Sequence, residues 1–190
     1  MYKKICFVYT ETTGLHQTNE NVTKKNLFGF ARMVTLNYEI GYVKDNEYIQ
    51  EKIVRHIIKP RCMLIPEDTV KYHGITQEIA NSKGKDPEQV INEFKNDIKT
   101  INIIISHNID FHLKTILAEA VRYNINIDVN NYLIIDTISF YHDYEFIKLK
   151  DLAQKLKIKN IPTDNKDNVE LIRDIFFKLY SKFKKSLKTK

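Results

Sequence analysis

The side chains able to bind a metal or move a proton sit in a few short stretches of this chain. Glu11 follows an apolar run and precedes two hydroxyls, Thr12 and Thr13. His73 stands in His73-Gly74-Ile75-Thr76, and His107-Asn108 comes just before Asp110, Phe111 and His112. Asp136 closes another apolar run, and Asp164, Asp167 and Asn168 follow Thr163 in a polar stretch. Carboxylates gathered from separate elements hold hard divalent cations, and an imidazole beside them serves as a general base. Each residue also has an ordinary structural role. Thr12 and Thr13 suit a turn built on hydroxyl–backbone bonds. Asp110 suits the first turn of a helix, and Asp164 and Asp167 a polar loop leading into one. His107 and Asn108 suit the start of a helix, Phe111 a core position ahead of a base-stacking wedge, and His73 a framework position. Cys6 and Cys62 show no metal spacing and are too few for a disulfide framework, so a reducing interior is expected.

The elements that must position these residues follow from pattern. Residues 3–9 form an apolar strand meeting a turn at Thr10 to Gly14, and residues 15–30 are polar and irregular. Arg32 to Val43 and Tyr48 to Ile58 read as strands joined by Lys44-Asp45-Asn46-Glu47, a hairpin turn. Pro66-Glu67-Asp68 opens a short helix, and Asp86-Pro87-Glu88 opens another with Val90, Ile91, Phe94 and Ile98 on one face. Ile101 to Ile105 is a buried strand, followed by a helix to about Arg122. Tyr132 to Ile135 is a further strand. Two or three helices complete the chain, the last with Ile172, Ile175, Phe176, Leu179 and Phe183 as its apolar stripe. Strands first in sequence and then alternating with helices predict an α/β fold, a mixed sheet covered by helices. No repeat or low-complexity linker appears. One domain over residues 1–180 is expected, with a basic tail over 181–190.

Five segments, in order, resemble the DnaQ / RNase T family of DEDDh 3′→5′ exonucleases. Phe7-Val8-Tyr9-Thr10-Glu11-Thr12-Thr13-Gly14-Leu15 is similar to its first motif, F-x-D-T-E-T-T-G-L. Ile58-Lys59-Pro60, Ile65-Pro66 and His73-Gly74-Ile75-Thr76 resemble I-K-P…I-P…H-G-I-T, and Ser106 to His112 resembles H-N-x-x-F-D. Ile135-Asp136-Thr137 matches the D-T that ends a central strand, and Leu149 to Ile158 with the helix after it takes the place of the last motif. The resemblance implies a ribonuclease H-like mixed sheet of about five strands flanked by helices.

It also implies a chemistry, phosphodiester hydrolysis by two divalent ions about 4 Å apart, held by four carboxylates with a histidine as base. The matching positions here are Tyr9, Glu11, His112 and Asn168, with Thr163 for the histidine. Only Glu11 keeps the family's residue. Four carboxylates cancel the charge of two Mg²⁺ ions, whereas Glu11 alone leaves most of it uncompensated. Neutral imidazole is a poor ligand for Mg²⁺. Asp110, Asp164 and Asp167 are the candidate substitute acids, with Asp143 a further one; Asp167 lies one step, about 100° of helix, from Asn168. The expectation is a catalytically inactive exonuclease fold without a cofactor, kept for binding single-stranded nucleic acid or for assembly. A weak Mg²⁺- or Mn²⁺-dependent exonuclease and a purely protein-binding component of a replication, transcription or virion complex are the alternatives. Thr12, Thr13, His107, Asn108 and Phe111 are the positions where the family's frame meets nucleic acid.

Charge and composition agree with such partners. The net charge is +6, which favours polyanions through attraction and counterion release. Much of the excess lies at Lys178, Lys182, Lys184, Lys185, Lys188 and Lys190, where cations also suit a helix C-terminus. No apolar run approaches a bilayer span and the N-terminus lacks the pattern of a signal peptide, so an intracellular protein without a membrane partner is expected. Abundant Lys, Asn and Ile suggest an AT-rich genome, such as that of a large DNA virus or a parasite.

Overall fold

The computed structural model describes residues 2–140, 146–163 and 165–188, and of residues 140, 166 and 182–188 only the backbone. Asp143, Asp164, the side chains of Phe183 and of Lys182, Lys184, Lys185 and Lys188, and Lys190 therefore lie outside the described residues.

Five strands form one sheet in the order β3-β2-β1-β4-β5. The strands are β1 (Lys4–Thr12), β2 (Met33–Lys44), β3 (Glu47–Ile57), β4 (Ile103–Ser106) and β5 (Leu133–Asp136). β1 pairs antiparallel with β2 and parallel with β4, which pairs parallel with β5. The mixed sheet expected from the sequence is present. The β2–β3 hairpin turns on Asp45 (φ 50°) and Asn46 (φ 66°), the pair of left-handed residues that a tight hairpin matching the strand twist requires.

Helices cover both faces. They are α1 (Glu67–His73), α2 (Gln77–Lys83), α3 (Pro87–Asp97), α4 (Ile109–Arg122), α5 (Leu149–Lys155) and α6 (Asn168–Lys188). Side-chain alternation along β1 divides the core between the faces. Cys6 and Val8 join the buried cluster with Phe94 of α3 and Ile116 of α4. Ile5 and Phe7 join the cluster with Leu152 of α5 and Ile172, Ile175 and Phe176 of α6. α2 has no counterpart among the sequence expectations. It buries one residue, Ala80, too little apolar face to register as a helical stripe.

Buried ion pairs lock the helices to the sheet. Glu119 of α4 takes hydrogen bonds from Arg32 Nε at 2.8 Å, the Met33 amide at 3.1 Å and Arg122 Nη1 at 3.1 Å. Glu39 of β2 is fully buried, and its two carboxylate oxygens accept from Arg173 Nη1 of α6 at 2.9 and 3.0 Å. Charges removed from water in this way hold only because each carboxylate is matched by a guanidinium.

Candidate functional site

The site is built on the C-terminal half of β1. The sequence suggests a turn from Thr10, but the strand runs on to Thr12 because β2 pairs with it residue by residue, with a register shift only between Glu11 and Thr12. Tyr9 and Glu11 are two apart on a strand and so share a face. Across the ladder Tyr9 stands opposite Asn37, and Glu11 opposite Thr35.

The start of α4 brings His112 to the same strand. Its Nδ1 accepts the Thr10 amide at 3.1 Å and lies 2.9 Å from the Thr10 hydroxyl. The amide can only donate, so Nδ1 carries no proton and the neutral ring holds it on Nε2. Burial pushes the imidazole pKa down to about 3; the charge of His107 acts in the same direction, while a hydrogen bond to the His107 backbone opposes it. The Tyr9 ring packs against His112 with centroids 4.6 Å apart at 46°. Burial pushes the Tyr9 phenol up, and the adjacent Glu11 adds to this.

Glu11 is a carboxyl in a dry setting. Burial raises its pKa to about 7, against the weaker opposite effects of the Tyr9 hydroxyl, the Asn165 amide and the charge of Lys150. Its Oε1 is buried without a hydrogen-bond partner among the described residues, as is Oδ1 of Asn168. Asn168 is 3% exposed at the start of α6, and its amide meets the Tyr9 hydroxyl. Tyr9, Glu11, His112 and Asn168 thus come together from three elements.

The other expected residues separate into distinct places. Thr163 is exposed, and its carbonyl lies 3.5 Å from Lys150 Nζ. Asp110 is turned to solvent and pairs with Lys114 at 2.8 Å, the ordinary first-turn pairing of a helix, so it does not reach Glu11 as a substitute acid. Asp167 pairs with Arg55 at 3.1 Å, a residue that also bonds Glu170. Thr12 donates to the Gly14 carbonyl at 2.6 Å, and Thr13 accepts the Arg32 amide at 3.0 Å. Both hydroxyls therefore shape the turn. Phe111 is half-buried and stacks on His16, with centroids 4.4 Å apart at 21°.

Asp136, at the end of β5, accepts the amides of Asn108, Ile109 and Ile138, each at 3.0 Å. It supplies the cap that starts α4, where Asn108 has left-handed backbone (φ 62°) and gives no side-chain cap. His107 bridges the Thr137 hydroxyl at 2.8 Å and the Ile147 carbonyl at 2.6 Å. This ties α4 to the segment leading into α5. The wall that carries His112 is thus fixed by buried polar bonds.

Two cavities meet at Glu11. The polar one, about 530 Å³, is lined by Glu11, Asn37, Arg55, His56, Lys71, His73, Thr163 and Asn165 among others. The second, about 480 Å³ and more apolar, is lined by Tyr9, Thr12, Leu15, Tyr72, His107, Asn108, Phe111, His112 and Phe146 among others. Glu11, Tyr72 and His73 border both. Thr13 faces a third cavity instead. Sequence reasoning missed Tyr72, Phe146, Asn165 and Lys150, and it placed His73 in the framework alone. Tyr72 (80% exposed) and Phe146 (68% exposed) are large apolar side chains held open to water. Only that exposure marks them, and it is not written in the sequence.

The sheet order, the helices on both faces and the cleft at the end of β1 define a ribonuclease H-like exonuclease fold. The exonuclease family model RNase T matches residues 9–165, and the chain belongs to that family. Among solved structures, a product-bound exonuclease I superposes with a TM-score of 0.73 at 14% identity, covering 95% of this chain and 44% of that one. An exonuclease I from Methylocaldum szegediense gives 0.72 at 14% identity, over 94% of this chain and 40% of its own. E. coli exonuclease I in complex with a dA16 oligonucleotide gives 0.71 at 14% identity, over 94% and 41%. The chain therefore spans less than half the length of these proteins, and at such identity the likeness concerns the fold. No curated protein matches the chain.

Proposed function

We propose that this chain holds single-stranded nucleic acid in the cleft around Glu11 without hydrolysing it. One observation carries the reading. Among the described residues, the positions around the Glu11 carboxyl are occupied by the Tyr9 phenol, the His112 imidazole and the Asn168 amide, all neutral, and the Tyr9 ring packs at a tilt against His112.

The exonuclease family normally works with Mg²⁺ or Mn²⁺, and these residues do not fit a pair of such ions. Two dications need several hard anionic oxygens to hold them together. Among the described residues one carboxyl, that of Glu11, is available here, and its burial opposes its ionisation near neutral pH. His112 already spends Nδ1 on Thr10. Among the described residues, no group of three or more His, Cys, Asp or Glu side chains is placed to ligate an ion. Asp110 and Asp167, the described substitute acids, are committed to Lys114 and Arg55.

The cleft suits a single strand in other respects. Leu15, Tyr72, Phe111 and Phe146 offer apolar and aromatic surface along one cavity, and base stacking on such side chains tolerates any sequence. Lys71 and Arg55 line the adjoining polar cavity, where phosphates gain from positive charge. Exonuclease I, which shares this fold, was captured with oligonucleotides dA16 and dT13.

The test uses end-labelled single-stranded DNA and RNA, incubated with Mg²⁺ or Mn²⁺ and resolved by length. The expected result is retention of the strand in a shift assay with no shortening. Stepwise 3′ trimming that disappears in Glu11→Gln would overturn it. Failure to retain either strand at low salt would favour a protein-binding role.

A further inference from the structure

We infer that His16, in its neutral form, is a positioning residue that clasps the β1–β2 connection (residues 13–32) to α4 and sets Leu15 and Phe111 in the cleft, so that one proton taken up by the ring loosens this wall. The consequence for strand binding rests on the nucleic-acid reading above; the clasp itself does not.

Two contacts with backbone fix the state of the ring. Nδ1 accepts the Ala31 amide at 3.1 Å, and Nε2 lies 3.2 Å from the Phe111 carbonyl. An amide only donates and a carbonyl only accepts. Both contacts are therefore satisfied by one species, the neutral ring with its proton on Nε2. The Thr115 hydroxyl, 3.4 Å from Nε2, donates to the same carbonyl at 2.9 Å. The ring is also packed. It stacks on Phe111 with centroids 4.4 Å apart at 21°, and meets Phe30 edge-on at 5.2 Å.

The place of this clasp gives it a consequence. Leu15, the next residue along the chain, lines the apolar cavity and also borders the third cavity with Lys24 and Phe28. Phe111, whose ring His16 covers, lines the same apolar cavity. One side chain thus sets two members of the wall, one by sequence and one by packing.

A second ring proton, on Nδ1, would point at the Ala31 N–H; donor then faces donor and that bond is lost. The charged groups facing His16 all lie on α4. Burial is the largest influence and lowers the His16 pKa, against the Phe111 carbonyl bond and Asp110, which favour the cation; Lys114 and Arg122 act with burial. His112, on the same helix, is also within range of its charge. From the connection the ring meets Phe30 and Ala31, neither of them titratable. The loosened arrangement therefore binds the proton better, and the clasp weakens as pH falls below the ordinary 6.5. Other ties hold the middle of the connection. Lys114 donates to the Asn19 carbonyl, and Arg122 to the carbonyls of Leu27 and Phe30. The change stays near Leu15 and Ala31.

Two substitutions separate this role from simple packing. His16→Asn keeps an acceptor near the place of Nδ1 but takes up no proton. His16→Phe keeps a ring against Phe111 but offers the Ala31 amide nothing. Exchange protection of that amide, corrected for its intrinsic rate, is followed by NMR from about pH 7.5 to about pH 5, with circular dichroism to show that each protein stays folded. In the wild type it should fall about tenfold, the loss of one hydrogen bond, and the Leu15 and Phe111 resonances should move along the same titration. His16→Asn should hold its protection within about twofold, and His16→Phe should show the low protection of the acid state at every pH. Binding of a fluorescent oligo-dT, read by anisotropy over the same range, should weaken about fivefold more in the wild type than in His16→Asn. That comparison cancels the titration of Glu11 and of the other histidines. Wild-type protection that stays flat, or that falls equally in His16→Asn, would overturn the clasp. Ala31 protection that falls while Leu15 and Phe111 do not respond would overturn its hold on the cleft wall. Absence of oligo-dT binding at every pH would overturn the cleft reading and leave the clasp to be decided by exchange.

Discussion

The Tyr9 and His112 rings lie with centroids 4.6 Å apart, one from β1 and one from α4, and together they fill the place beside Glu11 with neutral aromatic bulk. His112 cannot swing away cheaply, because Nδ1 is held by the Thr10 amide at 3.1 Å. The pair is therefore part of the packing of the cleft as well as part of its chemistry.

Replacing both rings with acids, Tyr9→Asp and His112→Asp, should destabilise the metal-free protein by several kcal/mol, since it removes packed rings and buries charge beside Glu11. Mn²⁺ should restore part of the loss by matching the new carboxylates. Thermal unfolding in EDTA and in Mn²⁺ checks this, and equal midpoints in the two buffers would contradict it.

Glu11 should give the protein a pH-dependent stability. Its folded pKa of about 7 lies above the ordinary 4.5, so the folded state binds the proton more tightly than the unfolded chain. The burial penalty is absent below the unfolded value, grows as pH rises through the interval, and is complete above the folded value. The protein should lose up to about 3 kcal/mol between about pH 4.5 and about pH 7 from this group. Glu11→Gln should abolish that slope, as read from urea midpoints at about pH 5 and about pH 8.

Glu119 should be among the most costly charged residues to neutralise. Glu119→Gln leaves Arg32 and Arg122 facing a neutral amide in a buried site, and breaking such a pair costs about 3–5 kcal/mol. Urea unfolding measures it directly. A change below about 1 kcal/mol would show that water reaches this site easily.

Asp136→Ala should destabilise the fold by about 1–3 kcal/mol by orphaning two amides at the start of α4 and the Ile138 amide just after β5. Hydrogen exchange should show the loss concentrated at Asn108 and Ile109, with the His112 wall loosened next.

Phe146→Ala and Tyr72→Ala should each reduce single-strand affinity by about 1–3 kcal/mol if bases stack there. The salt slope should not change, because no charge is removed. Anisotropy titrations at two salt concentrations distinguish stacking from a charge effect.

The sequence by itself determined the sheet, the order of most elements and the family. Apolar runs of period 2 or 3.6 report burial, and turn chemistry at Asp45-Asn46 and Asp86-Pro87 reports where the chain reverses or a helix begins. It also determined that Tyr9, Glu11 and His112 belong to one site, because their neighbours in each motif hold their register. Much less was legible where pattern is weak. α2 buries a single residue, and Asn165 reaches Glu11 from a short turn with no periodicity.

Only the tertiary structure decided which acids are spent elsewhere, that β1 runs on past Tyr9 to Thr12, and that His16 joins the β1–β2 connection to α4. The physical reason is the range of the interactions. Hydrophobic period and turn preference act over a few neighbours, so they can be read along the chain. Burial, ionisation and hydrogen-bond satisfaction depend on groups far apart along the chain, which meet only when it has folded: Thr10 and His112, separated by 102 residues, share a single proton arrangement.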